Sequence, residues 1–327
     1  MFFAAVSGSG PATVAAVGTM VIPSMLEKGY SKSFSLACVA CAGCIGVIIP
    51  PSIPMVIYGV STSTSISAMF LAGFAPGIII GTVLCLVCYF YCKKQGWKGD
   101  DRKYTFKEKM KVVWDSKFAL IEPVIILGGI YGGIFTPTEA AAVAAVYALI
   151  CGVFIFRELN FGNIYKTIAA ACSTNGTTMV IIGCATAFTR VLTLQQIPAM
   201  ITQAILNFST NEVVILILIN ILLLIVGCFM DTTPAMMVLS PILLPVATSL
   251  GLSPIHFGII MVVNLAIGFI TPPLGINLFV AARIGDVKLE VVCQGIIRFI
   301  IAMIVCMLAI TFIPAISEFL PRLSGML

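Results

Sequence analysis

Charged side chains are scarce in this chain of 327 residues. Asp, Glu, Lys and Arg make up 9% of the sequence, whereas hydrophobic residues make up 60%. Soluble domains contain about 25% charged residues, so the composition excludes a single soluble domain. The mean hydropathy is +1.13, and apolar runs long enough to cross a bilayer recur along the whole sequence. We therefore predict an all-α polytopic membrane protein that lies in a lipid bilayer.

Residues that build catalytic sites are also scarce. The chain has one histidine, His256, and it lacks H-E-x-x-H, P-loop and nucleophile-elbow motifs. Its twelve cysteines include Cys38, Cys41 and Cys44, but the fourth cysteine followed by proline that is typical of iron–sulfur ligands is missing. We interpret the cysteines as small packing residues. We expect no cofactor and no enzyme activity, and without a nucleotide site any transport would be driven by an ion gradient.

Basic residues are concentrated in one segment, and this predicts the topology. Of 18 Lys and Arg residues, nine lie within the basic loop 93–117. By the positive-inside rule this loop faces the cytoplasm. Tracing the apolar runs outward from it places 15 of the 18 basic residues inside, with Arg190, Arg298 and Arg322 as the exceptions. Acidic residues are interspersed in the same loop, so we expect no nucleic-acid partner.

Helix-breaking residues occur twice with the same spacing. Four pairs of positions are 222 residues apart: Pro23 and Pro245, Gly29 and Gly251, Gly46 and Gly268, and the double prolines 50–51 and 272–273. Each series begins at a Pro-bearing tip, 7–11 in the first and 231–234 in the second. The charge pattern gives the two units opposite orientations. The spacing predicts inverted repeats with re-entrant helical hairpins and broken transmembrane helices.

The repeat also predicts a division of the chain. Residues 1–60 form one transport-domain half, residues 61–210 form scaffold and arm helices, residues 211–282 form the second half and residues 283–327 form a C-terminal helix. Residue 1 corresponds to about position 223 of the second unit, which has roughly 110 residues between the basic loop and that point. We therefore expect about 100 further residues, with three or four helical segments, upstream of Met1.

Two cation sites are predicted where each tip meets a break. A double proline cannot donate backbone hydrogen bonds, so it frees carbonyl oxygens, which together with small hydroxyls suit Na⁺. The first site combines the 7–10 tip with the 46–51 break, and the second combines the 231–233 tip with the 268–275 break. The predicted Na⁺ ligands are Ser7, Gly8, Gly46, Ile49, Pro50, Asp231, Thr232, Gly268, Thr271 and Gly275. The helix after each tip points its N-terminus into the space between, which favours an anionic solute.

Several of these residues also have a structural interpretation. Glycine and proline are common in ordinary membrane helices, where they permit kinks and close packing. Asp231 is either a functional carboxylate or the cap of the helix that follows it. Asn277 is either a ligand or the donor of an interhelical hydrogen bond. His256 is not expected to be a ligand.

The motifs resemble one transporter family. The strings SGSGPATVAAVG, IIPPSIPMVIYG, GGIYGGIFTPTEAAAVA, FMDTTPAMMVLSPILLPVA and HFGIIMVVNLAIGFITPPLGINLFVA are similar to the large membrane subunit of tripartite ATP-independent periplasmic (TRAP) transporters. The resemblance implies an elevator-type, Na⁺-coupled importer of the ion-transporter superfamily in the bacterial inner membrane. It implies two partners, a small four-helix membrane subunit and a periplasmic substrate-binding protein. The implied solutes are organic carboxylates, namely C4-dicarboxylates, 2-keto acids and sialic acids. The motif sequences are most similar to those of the sialic-acid branch.

The resemblance also suggests substrate-facing residues, and alternatives remain open. The implied substrate-binding residues are Ser7, Ser9, Ser52, Asp231 and Asn277. A binding-protein-independent Na⁺/dicarboxylate symporter could share the inverted broken-helix architecture. An intramembrane enzyme is a remote alternative, since its catalytic pair would have to be Asp231 and Glu139 on distant elements.

Overall fold

The computed structural model describes residues 1–99, 105–208 and 211–327, and within them all regular secondary structure is helical. The chain forms two compact units. The first comprises Met1, Phe3–Gly99 and Ala185–Leu327, and the second comprises Phe2 and Asp100–Cys184. The prediction of an all-α protein is confirmed. The division into transport and scaffold segments stays a prediction.

The helices of the first unit come from the N-terminal and C-terminal parts of the chain, and the second unit comes from the part between them. Its N-terminal helices are α1 (Phe2–Ser7), α2 (Gly10–Glu27), α3 (Lys32–Ile48), α4 (Ile53–Thr62) and α5 (Ile66–Gln95). Helices α6 (Phe106–Asp115), α7 (Lys117–Tyr131) and α8 (Pro137–Ile150) belong to the second unit, with a π-helical turn at Cys151–Ile155, and α9 (Phe161–Leu194) runs from the second unit into the first. The C-terminal helices are α10 (Ile197–Phe208), α11 (Glu212–Phe229), α12 (Thr232–Ser249), α13 (Pro254–Gly268), α14 (Ile276–Ile284), α15 (Leu289–Phe312) and α16 (Ala315–Leu323).

Seven helical segments among the described residues are long and apolar enough to cross a membrane. They are Lys32–Thr62, Ile66–Gln95, Pro137–Ile155, Gly162–Leu194, Glu212–Phe229, Thr232–Ser249 and Leu289–Phe312. Each has at least 18 residues, which is close to the length that spans the hydrocarbon core. The chain is a polytopic membrane protein.

Both double prolines interrupt a helix. Helix α3 ends at Ile48 and α4 begins at Ile53, while α13 ends at Gly268 and α14 begins at Ile276. The peptide bonds Pro50–Pro51 and Pro272–Pro273 are both cis. Proline removes the amide donor and disfavours helix in the residue before it, so the two interruptions follow directly from the sequence.

The two halves of the first unit pack reciprocally. Helix α2, which follows the first tip, contacts α14, which follows the second break; α12, which follows the second tip, contacts α4, which follows the first break. At the centre, Cys44 Sγ donates to the carbonyl of Ala266 at 3.1 Å, and these two positions are themselves 222 residues apart. The repeat seen in the sequence is therefore also a repeat of contacts.

Local caps begin two helices of the second unit. The amide of Thr105 donates to the Glu108 carboxylate at 2.8 Å at the start of α6, and the amide of Thr136 donates to Glu139 at 2.8 Å at the start of α8. Reciprocal bonds of this kind satisfy amides that a helix start leaves unpaired. Helix α6 lies inside the segment predicted as the basic loop, so the described part of that segment is more ordered than a loop.

The C-terminal helix α16 holds the start of α13 through a polar cluster. Nδ1 of His256 is 2.6 Å from Ser317 Oγ, and Ser253 donates a hydrogen bond to the Glu318 carboxylate. Arg322, one of the three basic exceptions, pairs with Glu318 at 2.7 Å. Burial raises the pKa of Glu318, but the hydrogen bonds from Ser253 and Arg322 and the Arg322 charge outweigh burial and hold that pKa below its ordinary value. The His256 side chain thus has a structural partner in Ser317.

We predict that Gly268→Ala destabilises the first unit. A Cβ built on Gly268 lies 2.2 to 2.5 Å from backbone atoms of Gly227, so α11 and α13 would have to separate. Overpacking of this kind costs about 1–3 kcal/mol. The thermal unfolding midpoint in detergent should fall. The control is Gly183→Ala on α9, where nothing lies within 4 Å of the added carbon; equal midpoints for the two variants would contradict the close approach.

Candidate functional site

The first tip is a small cluster of hydroxyls around a left-handed glycine. Helix α1 ends at Ser7, Gly8 has φ 59°, and Ser9 is the N-cap of α2 without using its side chain as a cap. Ser7 Oγ lies 2.5 Å from Thr13 Oγ1, and Thr13 Oγ1 donates to the Ser9 carbonyl at 2.7 Å. Three oxygens of this cluster are thus tied together, whereas the Ser9 hydroxyl does not cap α2.

The first break leaves two carbonyls of α3 without their usual donors. In an uninterrupted helix, residue 50 would donate to the Gly46 carbonyl and residue 51 to the Val47 carbonyl, but both are prolines. The buried Ser52 compensates for one of them, since its hydroxyl donates to the Val47 carbonyl at 2.6 Å. The Gly46 carbonyl cannot receive a bond from the helix ladder and remains available to another ligand.

Tip and break of the first half lie against each other. The Ile53 amide donates to the Gly8 carbonyl at 3.3 Å. A Cβ on Gly46 would lie 2.5 Å from Thr13 Oγ1 and 2.7 Å from the Ser9 carbonyl oxygen, and a Cβ on Gly8 would lie 3.1 Å from the Pro51 oxygen. Glycine is needed at position 46 because oxygen atoms of the tip occupy the space that a side chain would take.

Ile49 and Pro50, two further predicted Na⁺ ligands, are buried at the same break. The Ile49 amide donates to the Ile45 carbonyl at 2.9 Å and closes the last turn of α3. The side chain of Ile49 packs where a Cβ on Gly77 would lie. Only backbone oxygens of these two residues can serve as ligands, since their side chains are apolar.

The second break also leaves two carbonyls without their helix donors, and different groups replace those donors. Its prolines withhold the amides that would reach the carbonyls of Gly268 and Phe269. Here the Thr271 amide donates to Gly268 at 3.1 Å, and the Asn277 amide donates to Phe269 at 3.0 Å. The Thr271 hydroxyl donates to the Ile267 carbonyl at 2.8 Å. Gly275, with φ 50°, turns the chain into α14.

The second tip is capped by its own carboxylate. Asp231 is exposed and accepts a hydrogen bond from the Thr232 amide at 2.6 Å, and a longer one from the Thr232 hydroxyl at 3.3 Å. The capping interpretation of Asp231 is therefore observed in the structure. The approach of the second hairpin to the second break is made by Gly227 on α11, whose backbone touches Gly268.

Asn277 lies where elements of both halves meet. Its Nδ2 donates to the Ala40 carbonyl on α3 at 3.1 Å and lies 3.6 Å from Cys44 Sγ. Its Oδ1 is completely buried and has no hydrogen-bond partner among the described residues. A Cβ on Gly10, at the start of α2, would lie 3.3 Å from that Oδ1. The interhelical bond and a free ligand oxygen thus coexist in one side chain.

The donors present suit a hard cation. Na⁺ prefers oxygen ligands of low charge, and the first tip and break supply hydroxyl and carbonyl oxygens within contact of one another. Groups of three or more His, Cys, Asp or Glu side chains that could hold a metal are not found in the described parts of the chain. The oxygens of the first tip and break are neutral hydroxyl and carbonyl groups, a ligand type that hard cations accept.

Two residues of the site were missed by sequence reasoning. Thr13 lies one helical turn after Ser9, so an i, i+4 pattern of hydroxyls on α2 was the available signal. Gly227 lies four residues before Asp231 in the middle of an apolar run, and only the packing of α11 on α13 shows its role.

Comparison with known proteins gives one family. The family model described as "Tripartite ATP-independent periplasmic transporter, DctM component" matches residues 1–316. The chain is 51% identical to the isethionate TRAP transporter permease protein DctMQ of Oleidesulfovibrio alaskensis. The match covers 98% of this chain and 50% of that protein.

Two further relatives are similar over nearly the whole chain. It is 40% identical to the C4-dicarboxylate TRAP transporter large permease protein DctM of Pseudomonas aeruginosa, over 100% of the chain and 76% of that protein. It is 35% identical to the sialic acid TRAP transporter large permease protein SiaM of Vibrio cholerae, over 99% of the chain and 75% of that protein. The chain thus spans half the length of the first relative and about three quarters of these two.

We predict that Ser52→Ala weakens solute uptake and lowers stability while the protein still folds. The change leaves the buried Val47 carbonyl unpaired, which costs about 1–3 kcal/mol and loosens the break. Uptake and the thermal midpoint are the measurements. Ser35→Ala is the matched control, because the buried Ser35 hydroxyl donates to the Ser31 carbonyl at 3.0 Å and that carbonyl also receives the Ser35 amide. If both variants behave alike, Ser52 has no special role.

Proposed function

Since this chain belongs to the DctM component family of tripartite ATP-independent periplasmic transporters, we propose that it is the membrane permease of a Na⁺-coupled importer of small organic anions. Its relatives are named as transporter permeases, so it is a transporter and not an enzyme. It is a multi-pass protein of the bacterial inner membrane. The family expected from the motifs is confirmed; the coupling ion, the solute and the partners are the proposal.

The convergence of both halves at Asn277 supports the coupling proposal. Helix α3 before the first break and α14 after the second meet at this side chain, next to the start of α2. A buried amide oxygen without a partner costs free energy, which a bound cation would recover. We assign Na⁺ to the oxygens of the first tip and break, with Gly46 and Asn277 as further ligands, and a second Na⁺ to the Asp231–Thr233 tip with Thr271.

The two tips differ in charge, and this suggests where the anion binds. At the second tip the Asp231 carboxylate already occupies the N-terminus of α12. At the first tip the N-cap of α2 is Ser9, an uncharged residue whose hydroxyl is not used as a cap. A helix N-terminus attracts negative charge unless a carboxylate is already there. We therefore place the acidic group of the solute at Ser9 and the start of α2.

The identities favour one solute for the first trial. The relative with 51% identity is named for isethionate, whereas those named for C4-dicarboxylates and sialic acid are 40% and 35% identical. Isethionate is a two-carbon hydroxysulfonate, and its anionic group can accept hydrogen bonds as a carboxylate does. Small carboxylates remain the general class of solute that we propose. Isethionate, a sulfonate, is the specific candidate from the wider set of small organic anions.

Two partners are part of the proposal. The family is described as tripartite, and a relative that the chain half covers bears the name DctMQ. We propose that a small membrane subunit and a periplasmic binding protein complete the transporter. The elevator movement of the broken-helix unit belongs to this proposal as well. A binding-protein-independent symporter is the rival, and it would transport solute without a soluble component.

We predict that uptake into proteoliposomes requires an inward Na⁺ gradient and the proposed periplasmic binding protein. Labelled isethionate is the first solute, and succinate, pyruvate and N-acetylneuraminate are added as unlabelled competitors. Uptake should stop when K⁺ replaces Na⁺ at equal ionic strength. Unchanged uptake in K⁺ would reject the coupling, and uptake without the binding protein would favour the rival symporter.

We also predict that Asn277→Ala raises the Na⁺ concentration for half-maximal uptake by about tenfold, which corresponds to about 1.4 kcal/mol for one lost ligand. Asn220→Ala is the control, because Asn220 on α11 is buried and accepts an interhelical bond of 2.6 Å from Asn264. That variant should lose stability without a change in Na⁺ dependence. Equal Na⁺ shifts in both variants would remove Asn277 from the ion site.

A further inference from the structure

Cysteines gather around one cavity of the first unit. The cavity has a volume of about 810 Å³, and five thiols line it: Cys38, Cys41, Cys85, Cys88 and Cys92. The transport proposal uses none of them. Two helices supply all five, α3 the first two and α5 the other three.

Cys38 and Cys88 form the closest pair. Their sulfur atoms are 3.5 Å apart, one on α3 and the other on α5. Both side chains are half-buried and line the cavity, so a small reagent in the cavity reaches both. Cys41 is fully buried by comparison and donates to Met303 Sδ at 3.7 Å. The sulfurs of Cys38 and Cys88 need to approach by about 1.5 Å to reach the bond length of a disulfide.

Two lysines of the cavity indicate on which side of the membrane it lies. Lys93 and Lys98 line the same cavity as the cysteine pair. Both lysines belong to the basic segment, which the positive-inside rule places at the cytoplasmic side. The cytoplasm keeps thiols reduced, so the resting state of the pair is the dithiol.

We propose that Cys38 and Cys88 form a redox site that a peroxide converts to a disulfide. One thiolate attacks the peroxide and becomes a sulfenic acid with release of hydroxide, which takes up a proton to give water. The second thiol then displaces a further water and forms the S–S bond. The two thiols lose two electrons to one peroxide, and two waters are produced. A small dithiol restores the reduced pair by exchange.

The bond would join the broken helix to its neighbour. Helix α3 leads directly into the first break, and α5 follows the helix after that break. A disulfide between positions 38 and 88 closes a covalent loop around the whole break. Transport that needs α3 and α5 to move relative to each other should therefore stop on oxidation and resume on reduction.

The test uses fragments of the oxidised full chain in native membranes. After hydrogen peroxide treatment and blocking of free thiols, cyanogen bromide cleaves at methionine and separates residues 26–55, which contain Cys38, from residues 70–110, which contain Cys88. We expect mass spectrometry to find the two fragments joined after peroxide and separated by dithiothreitol. Cys38→Ser and Cys88→Ser should each abolish the joined product, whereas Cys85→Ser, in the same cavity, should keep it.

A second measurement uses the unmodified protein, so its result does not depend on whether the serine variants fold. Phenylarsine oxide bridges two thiols at close range, so it should protect Cys38 and Cys88 together from maleimide labelling in the unmodified protein. Joined fragments that persist in the Cys38→Ser and Cys88→Ser variants would overturn the assignment. So would independent labelling of the two cysteines in the presence of phenylarsine oxide.

Discussion

Four prolines withhold four amide hydrogens in the interior of two apolar helices, and the arrangement of the broken-helix unit depends on this deficit. The carbonyls of Gly46, Val47, Gly268 and Phe269 lose their helix donors, and in an apolar environment an unpaired carbonyl costs several kcal/mol. Each must find another partner nearby. The first hairpin tip lies beside the first break, and Gly227 lies beside Gly268 at the second.

The two halves resolve the same deficit in different ways. The Val47 carbonyl receives the Ser52 hydroxyl, whereas its counterpart at Phe269 receives the backbone amide of Asn277. The Asn277 side chain is thereby positioned at the start of α14 and turned towards α3. The prolines of the two halves are symmetrically spaced, but the groups that replace the lost donors differ between the halves. An asymmetric site of this kind suits a small anion whose two ends differ.

Charge at the tips follows the same division. Asp231 caps α12 with its carboxylate, and Ser9 caps α2 without using its side chain. The second tip therefore carries a negative charge beside its proposed Na⁺, while the first tip, whose oxygens are proposed to hold the other Na⁺, keeps the positive end of a helix available to the anion. Co-transport of a cation and an anion through neighbouring sites is consistent with this difference, because each charge lowers the cost of desolvating the other.

Sequence alone determined that the protein lies in a membrane, where two of its helices are interrupted and to which family it belongs. Each of these depends on local chemistry, namely apolar runs, missing proline amides and repeated spacing. The structure places the first tip against the first break, where the sequence puts one of its two predicted cation sites. Only the tertiary structure decided which groups replace the lost donors, as Ser52 does for Val47, and that Gly227 meets Gly268. The contact between Gly227 and Gly268 joins helices across 41 residues of chain, and no local pattern specifies the distance between two packed backbones. The Ser52 bond spans only five residues, but the path of the backbone through the break decides that the hydroxyl reaches Val47.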